Sequence, residues 1–234
     1  TGQSKRAIED HFDYPFELAH RLREQHKGEE LLEVERISEL ANFVYVRQKG
    51  PYGNATPVLN SRHLITNEPF AVLFGDEMFS GAVPRLKQMI ETYERYGDPV
   101  LGVIPVDDEG TKRYGIIDPA AEVEPGVFQL KGMVEKPGPE KAPSRLAAIG
   151  AYVLTPDIFD AIAETKRGHG GELILLDAIF TLMKTRPVYA TVLKGEYHDT
   201  GSKIGWLKAN IAEALRRPDM RDETRTYLKK ASKA

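Results

Sequence analysis

The 234-residue chain contains no cysteine and no long apolar run. Without cysteine it has no disulfide, no thiolate zinc site and no cysteine nucleophile, and this composition fits a reducing compartment such as the cytoplasm. Because no apolar stretch is long enough to cross a bilayer, we expect no membrane-spanning segment. A basic excess is also missing, since 35 acidic residues outnumber 32 basic ones and leave a formal net charge of −3. Bulk nucleic-acid binding is therefore not expected.

The chain has an alternation of strand-like and helix-like segments. Residues 42–48, 69–74 and 99–106 are rich in aliphatic, β-branched or aromatic side chains and predict strands. Residues 83–97 are amphipathic and end on a glycine, which predicts a helix between two of those strands. Helices between strands are typical of βαβ crossovers. The sequence therefore predicts an α/β fold with a Rossmann-like mixed, mostly parallel sheet, whose middle section is partly antiparallel.

Asp76 stands directly after the apolar segment at residues 70–74, where the strand is predicted to end. In open α/β sheets, ligands bind outside the carboxyl ends of the strands. Two interpretations stay open for this carboxylate. It either caps the segment that follows the strand or belongs to a metal or phosphate site.

Asp199, in the segment EYHDTGS, follows a second strand-like stretch and precedes a Gly–Ser turn that opens a helix. Asp-Thr-Gly alone is a common turn sequence. Two aspartates at strand ends can nevertheless converge on one hard cation. Mg²⁺ is typically held by one or two carboxylates, with substrate phosphates and water as its other ligands.

The segment MVEKP carries Glu135 and Lys136 at the end of another predicted strand, which Pro137 terminates. These two side chains form either a surface ion pair or a ligand site. In a ligand site, the lysine would bind a phosphate as a point charge. The carboxylate would accept hydrogen bonds from sugar hydroxyls.

The segment RQKGPYGNATP is rich in glycine and proline and begins beside Gln48. Glycines after a strand permit a ligand to approach the backbone closely. The glutamine side chain offers both a donor and an acceptor, as recognition of a base requires. An ordinary loop has the same composition.

These motifs, in this order, resemble the bacterial UTP–glucose-1-phosphate uridylyltransferases, a branch of the sugar-1-phosphate nucleotidylyltransferase family. The segments that carry the resemblance span almost the whole chain and are KRAIEDHFD, VRQ, FAVLFGDEMF, YGIID, MVEKP, IGAYVLTPDIFD, GELILLDAI and HDTGSKIGW. The first, the fifth and the last together are specific to the glucose and uridylyl branch. The pairs and triplets GD, EKP and DTG alone would indicate only the superfamily.

The resemblance implies a sheet of the nucleotide-diphospho-sugar transferase type and a Mg²⁺-dependent reaction of UTP with glucose 1-phosphate, which gives UDP-glucose and pyrophosphate. Asp76 and Asp199 match the metal-binding aspartates, and Lys136 matches the lysine that holds the sugar phosphate. These three are the implied catalytic residues. The implied substrate-binding residues are Gln48 and Gly53 for the uracil, Tyr114, Gly115, Gly150 and Glu172 for the sugar pocket, Glu135 for the sugar hydroxyls, and Lys136.

One departure from the family is large, because the glycine-rich loop GxGTRxxPxTK that wraps the triphosphate is absent. Roughly sixty residues, about one βαβ unit with a further helix and strand, are predicted to be missing before Thr1. We therefore expect an N-terminally truncated copy that keeps the sugar-phosphate half-site and is weakly active or inactive alone. A smaller departure is that Ala55 and Thr56 stand where the family usually has a glycine and a histidine.

We predict a nucleotidyltransferase domain over residues 1–201 and C-terminal helices over 202–234 that serve packing and oligomerisation. Trp206, Leu207, Ile211 and Leu215 recur at helical spacing and predict a packed apolar face. The resemblance further implies a homo-oligomer whose partners are UTP, glucose 1-phosphate and UDP-glucose, with neither nucleic acid nor membrane among them.

Three alternatives stay open at this point. The chain is a related nucleotidylyltransferase that uses dTTP, CTP or another sugar phosphate, or it is a non-catalytic, truncated paralogue that binds sugar nucleotides. In the third alternative it is a purely structural α/β domain. That alternative requires Asp76, Glu135, Lys136 and Asp199 to be scattered in space.

Overall fold

The computed structural model describes residues 1–2 and 5–233. The helices in these residues are α1 (Arg6–Phe12), α2 (Phe16–Glu24), α3 (Gly28–Ser38), α4 (Ala55–Asn60), α5 (Arg85–Tyr96), α6 (Asp108–Arg113), α7 (Ile158–Glu164), α8 (Leu175–Leu182), α9 (Lys203–Arg216) and α10 (Arg221–Ala231). The strands are β1 (Phe70–Leu73), β2 (Glu77–Ser80), β3 (Val100–Pro105), β4 (Gly115–Glu124), β5 (Val127–Glu135), β6 (Leu146–Leu154), β7 (Tyr189–Val192) and β8 (Glu196–Asp199).

The chain divides into two compact units. The first takes the chain up to Leu64 together with Lys166–Leu175, and the second takes Ile65–Thr165 and the chain from Leu176 onward. In the first unit, α3 packs against α1 and α2. Tyr14 donates a hydrogen bond to Glu35 of α3 over 2.7 Å. The second unit contains every strand named above and the helices from α5 to α10, except the first residue of α8.

The second unit is built on a six-stranded sheet with the strand order β1-β6-β3-β7-β5-β4. Strands β2 and β8 form a separate antiparallel ribbon. The prediction of a mixed α/β fold is therefore confirmed. The prediction that the sheet is mostly parallel is wrong, because among the described strands only β3 and β7 pair in parallel and the other pairings are antiparallel.

The sheet is mostly antiparallel because β6 lies between β1 and β3. Strands β1 and β3 are both antiparallel to β6, so they run in the same direction, as a helical crossover through α5 requires. They do not pair with each other, because β6 lies between them. Alternation of strand and helix in the sequence fixes the relative direction of successive strands, but it does not fix which strands are neighbours.

The core of the second unit forms where α5 packs on β3, β6 and β7. Met89 of α5 is fully buried with Val100, Ile149 and Val153 of the sheet. The helix ends at Gly97, whose φ of 69° gives the left-handed cap that glycine adopts at little cost. Phe79 of β2 and Tyr197 of β8 pack against this core.

The predicted strand at residues 42–48 is wrong, since this segment forms no strand. Its aromatic residues contact α1 instead. Phe43 stacks on Phe12 with ring centroids 4.3 Å apart, and the Tyr45 hydroxyl donates to the Glu9 carbonyl over 3.3 Å. A β-rich composition forms a strand only where a neighbouring strand offers its backbone groups.

Helix α9 packs on β8 and α10 within the second unit. Trp206 and Leu207, in the N-terminal half of α9, are 57% and 47% exposed and do not pack within the described residues. The role of these helices in packing and oligomerisation stays a prediction. None of the described helices is both long enough and apolar enough to cross a membrane. The division of the protein at residue 201 stays a prediction.

Arg186 connects three parts of the second unit through hydrogen bonds, and we predict that removing it lowers stability. Its guanidinium donates to Asp98 over 2.7 Å, to Asp157 over 2.9 Å and to the Gly97 carbonyl over 2.8 Å. Arg186→Met removes the cation from Asp98, whose side chain is 18% exposed. We expect the free energy of unfolding to fall by about 2–3 kcal/mol, measured by urea denaturation.

The matched control is Lys112→Met, which breaks the exposed Lys112–Glu109 pair of α6. Exposed pairs contribute about 1 kcal/mol or less. Equal losses of stability in the two variants would contradict a structural role for the Arg186 cluster.

Candidate active site

Asp76 and Asp199 are brought together by the β2–β8 ribbon. Asp76 directly precedes β2, and Asp199 is the last residue of β8, where it lies opposite Glu77 in the antiparallel register. Thr200 extends this register by donating its N–H to the Asp76 carbonyl over 2.9 Å. The backbone pairing therefore places the two aspartates side by side, although they are far apart in the sequence.

Gly201 marks the point on which the two carboxylates converge. A Cβ placed on this glycine would lie 3.2 Å from Asp199 Oδ1 and 3.2 Å from Asp76 Oδ2. The two oxygens are therefore no farther apart than twice that distance. The Gly201 N–H also donates to Asp199 Oδ1 over 3.1 Å. A glycine at this position leaves the space between the carboxylates open.

Arg113, the last residue of α6, is a member of the site that the sequence reasoning missed. Its Nη2 donates to Asp199 Oδ2 over 3.0 Å. Its guanidinium carbon lies 5.4 Å from the centroid of the Tyr114 ring, and that ring contacts Tyr197 edge to face. The available signal was the position of an arginine directly before the Tyr-Gly pair that the family resemblance had singled out.

Glu77 is a second residue that the sequence reasoning left without a role. Its side chain is only 10% exposed and accepts hydrogen bonds from the Gly150 N–H at 2.7 Å, from Arg85 at 3.0 Å and from the Tyr197 hydroxyl at 3.2 Å. Burial raises the pKa of Glu77, and its donors only partly offset that rise. Because Gly150 belongs to β6, Glu77 joins the ribbon to the main sheet.

Burial and the nearby carboxylates raise the pKa of two tyrosines in the site. Burial is the largest cause that raises the pKa of Tyr197, and the carboxylate of Glu77 adds to it. Burial likewise raises the pKa of Tyr114, with a further contribution from Asp199. Both phenols therefore keep their protons and stay hydrogen-bond donors at neutral pH.

Glu135 and Lys136 lie at the end of β5, where the sequence predicts them. Glu135 pairs with Gly115 across the β4–β5 ladder, and the Lys136 N–H donates to the Tyr114 carbonyl over 3.2 Å. A Cβ on Gly115 would come within 3.1 Å of Glu135 Oε2 and of the Met133 sulfur, both of which are ends of flexible side chains. The two side chains form an exposed ion pair with Nζ 3.3 Å from Oε1.

Lys136 has a φ of 45°, in the left-handed region that non-glycine residues seldom adopt. Such conformations are concentrated at functional sites, because the surrounding structure must hold them against their cost. Through Tyr114 and Arg113, a continuous set of contacts connects this lysine to Asp199. That connection contradicts the alternative in which the four charged residues are scattered.

Gly150 is required by packing. A Cβ there would lie 2.3 Å from the Phe74 ring, and its N–H already donates to Glu77. The close approach of Phe74 therefore accounts for the glycine without any ligand.

Gly53 and Glu172 belong to the first unit, where the fold brings their two loops together. Gly53 has a φ of 120°, and a Cβ on it would lie 2.1 Å from the Leu173 carbonyl oxygen. Backbone hydrogen bonds connect Leu173 to Tyr52 over 2.7 Å and to Ala55 over 3.0 Å. This contact between two loops could not be read from the sequence, because the loops are distant along the chain.

Gln48 and the departures at 55–56 also lie in the first unit. Gln48 is exposed, and its N–H donates to the Thr1 carbonyl over 2.8 Å. Ala55 and Thr56 are buried at the start of α4, where the Thr56 hydroxyl donates to the Pro51 carbonyl. Both side chains are therefore packed inside the first unit.

The donor set of the aspartate pair suits a hard divalent cation. Within the described residues, no group of three or more His, Asp or Glu side chains is placed to hold a metal ion. Two convergent carboxylates match the preference of Mg²⁺ for one or two protein carboxylates completed by substrate phosphates and water. They do not match Zn²⁺, which typically takes three or four protein ligands.

Comparison with known proteins places these residues in a family. The nucleotidyl transferase family model matches residues 14–214. The chain is 42% identical to the UTP–glucose-1-phosphate uridylyltransferase YngB of Bacillus subtilis, and the match covers 97% of the chain and 76% of that protein.

Solved structures give the same result. A UDP-glucose pyrophosphorylase complexed with UDP-glucose superposes with a TM-score of 0.81 at 38% identity, over 93% of this chain and 80% of that one. A UTP-bound UGPase from Acinetobacter baumannii superposes with a TM-score of 0.89 at 33% identity, over 97% of this chain and 80% of that one. The chain belongs to the nucleotidyl transferase family and, within it, to the UTP–glucose-1-phosphate uridylyltransferases.

Proposed function

We propose that this chain transfers a uridylyl group from UTP to glucose 1-phosphate and so forms UDP-glucose and pyrophosphate. The observation that carries the proposal is the convergence of Asp76 and Asp199 on one point beside Gly201. Carboxylates that converge in this way can bind a divalent cation between them, because Mg²⁺ is typically held by one or two protein carboxylates. The Bacillus subtilis relative is a UTP–glucose-1-phosphate uridylyltransferase, and a similar solved structure is complexed with UDP-glucose.

In the reaction, a phosphate oxygen of glucose 1-phosphate attacks the α-phosphorus of UTP. The new P–O bond forms as the bond to the β-phosphate breaks, and pyrophosphate leaves. No protein nucleophile is required, so the rate enhancement comes from positioning and from neutralising charge.

Asp76 and Asp199 would hold a Mg²⁺ ion. When bound, this ion supplies charge neutralisation for the phosphates of both reactants. The remaining work falls to side chains of the chain itself. Lys136 binds the phosphate of the sugar, and Glu135 accepts hydrogen bonds from sugar hydroxyls, so that the attacking oxygen is held in one orientation.

The proposal extends to further loops. Within the second unit, Tyr114, Gly115 and Gly150 are the residues proposed for the sugar. Within the first unit, Glu172 is a residue that the family resemblance assigns to the sugar. Gln48 and the backbone at Gly53 recognise the uracil, since a glutamine amide can both donate to and accept from that base.

Association of copies through the C-terminal helices is part of the proposal. Ile204 and Trp206 of α9 and Tyr227 of α10 expose 56%, 57% and 69% of their surface. Large apolar side chains grouped on a solvent-facing helix are typical of subunit contacts.

The test of the function is calorimetric titration of the chain with UDP-glucose in the presence of Mg²⁺. Binding of the product is measured because it depends on the residues described above. We expect Asp199→Asn to weaken Mg²⁺-dependent binding by at least about 10- to 100-fold, the loss that even indirect partners of a metal site cause. Asp118→Asn is the matched control, since Asp118 pairs with Lys131 on β4 and β5.

An unchanged affinity of Asp199→Asn for UDP-glucose in the presence of Mg²⁺ would contradict the proposed metal-dependent site. Titration with dTDP-glucose under the same conditions tests the base. Equal affinity for the two sugar nucleotides would replace uridylyl transfer by the broader nucleotidylyltransferase activity. Formation of UTP from UDP-glucose and pyrophosphate by this chain would exclude the non-catalytic binding protein.

Replacing Lys136 by glycine is expected to raise the stability of the chain and to weaken its binding of glucose 1-phosphate. Lys136→Gly relieves the left-handed backbone, whereas Lys136→Met keeps it, and both remove the charge. We expect the glycine variant to be about 0.5–1 kcal/mol more stable than the methionine variant in urea unfolding. Both variants should lose affinity for glucose 1-phosphate. A glycine variant that is the less stable of the two would show that the backbone at Lys136 carries no strain.

The oligomer prediction is tested by analytical ultracentrifugation of the chain and of Trp206→Ser. We expect the variant to sediment at a lower mass at the same protein concentration, because a large apolar contact is lost. Phe16→Ser in α2, which exposes 78% of its surface, is the control for removing an exposed aromatic residue elsewhere. A monomeric parent chain, or a variant of unchanged mass, argues against this interface.

A further inference from the structure

The Arg113 side chain has no part in the chemistry proposed above, although it contacts the site directly. It is 53% exposed, and its ion pair with Asp199 is its one contact with an acidic side chain among the described residues. Asp199 itself is 26% exposed. Arg113 is therefore paired with the carboxylate that the proposed divalent cation would bind.

Both oxygens of Asp199 are engaged in this structure. Oδ2 accepts from Arg113 Nη2, and Oδ1 accepts from the Gly201 N–H. Mg²⁺ binds carboxylate oxygens directly and requires close to octahedral geometry. A guanidinium on Oδ2 takes one of the positions that such an ion needs, and its positive charge repels the ion as well.

We propose that Arg113 is an internal counter-ion that holds Asp199 in the ligand-free protein and competes with the divalent cation for it. This inference rests on the metal site of the proposed function. It makes Arg113 a positioning residue, because the arginine acts through Asp199. The competition weakens binding of the metal ion alone, and the cation has to displace the guanidinium.

The released guanidinium favours an anionic substrate. Arg113 lies next to Tyr114, whose carbonyl accepts from the N–H of Lys136, the residue proposed to bind the sugar phosphate. A planar guanidinium matches phosphate oxygens in a two-pronged geometry. A phosphate ester at this position would therefore stabilise the released arginine. Binding of the metal ion and binding of glucose 1-phosphate then strengthen each other, and the coupling is reciprocal.

The experiment measures Mn²⁺ binding to the ligand-free chain, followed by the loss of the free-ion signal in electron paramagnetic resonance. We expect Arg113→Met to bind Mn²⁺ about twofold to fivefold more tightly than the parent, the range that breaking an exposed ion pair supplies. Glucose 1-phosphate should strengthen Mn²⁺ binding in the parent. In Arg113→Met this strengthening should be reduced.

Two further variants separate the contact from the charge. Lys112→Met removes the same charge one residue away, but its ammonium pairs with Glu109, so we expect little change in Mn²⁺ affinity. Arg113→Lys keeps the cation and should restore affinity towards that of the parent. An increase in Lys112→Met equal to that in Arg113→Met would overturn the proposal, because net charge alone would then explain the effect.

The remaining outcomes distinguish this inference from the proposed function. If Asp76→Asn binds Mn²⁺ as the parent does, the ion does not bind at the aspartate pair, and the metal site and the inference fail together. If Asp76→Asn loses Mn²⁺ but Arg113→Met binds no more tightly than the parent, the metal site stands. The role of Arg113 as a competitor is then overturned.

Discussion

The pairing of β2 with β8 is the interaction on which the site depends. This short antiparallel ribbon sets Glu77 opposite Asp199, and Thr200 prolongs it to Asp76. A shift of one residue in an antiparallel register would send every following side chain to the opposite face. The two carboxylates would then point apart. The metal site proposed for this chain is therefore a consequence of backbone register, and Gly201 keeps the space between the carboxylates free of a side chain.

The ribbon also concentrates negative charge, and neighbouring groups compensate for it. Arg85 and the Gly150 N–H neutralise and solvate Glu77 inside the protein, while Arg113 pairs with Asp199 at the surface. These two arginines differ in burial, since the Arg85 side chain is 12% exposed and that of Arg113 is 53% exposed. The buried pair suits a permanent structural contact, because separating it would leave a charge without water. The exposed pair can open at small cost and suits exchange with a ligand.

The relatives and the structure of this chain give different information about the protein. The relatives identify the reaction class, and this chain spans 76% of the length of the Bacillus subtilis protein and 80% of the structures with bound UDP-glucose or UTP. The structure adds the reasons for individual residues. Gly150 and Gly53 are required because Phe74 and Leu173 approach their backbones closely, whatever ligand binds nearby. Two glycines that the resemblance assigns to the substrate site thus have a packing reason of their own.

The sequence by itself determined the local elements and the residue types of the site. The apolar run before Asp76, the strand that ends at Glu135 and the helix that ends at Gly97 follow from side-chain pattern and capping, which act over a few residues. Only the tertiary structure decided which strands are neighbours, because β6 pairs with β1 and β3 through contacts that are distant in the sequence. The same reason explains why residues 42–48 form no strand. It also explains why the contacts of Arg113 and Glu77 at the site could not be predicted from the sequence. Pairing between distant strands is a property of the whole chain, and no local window contains it.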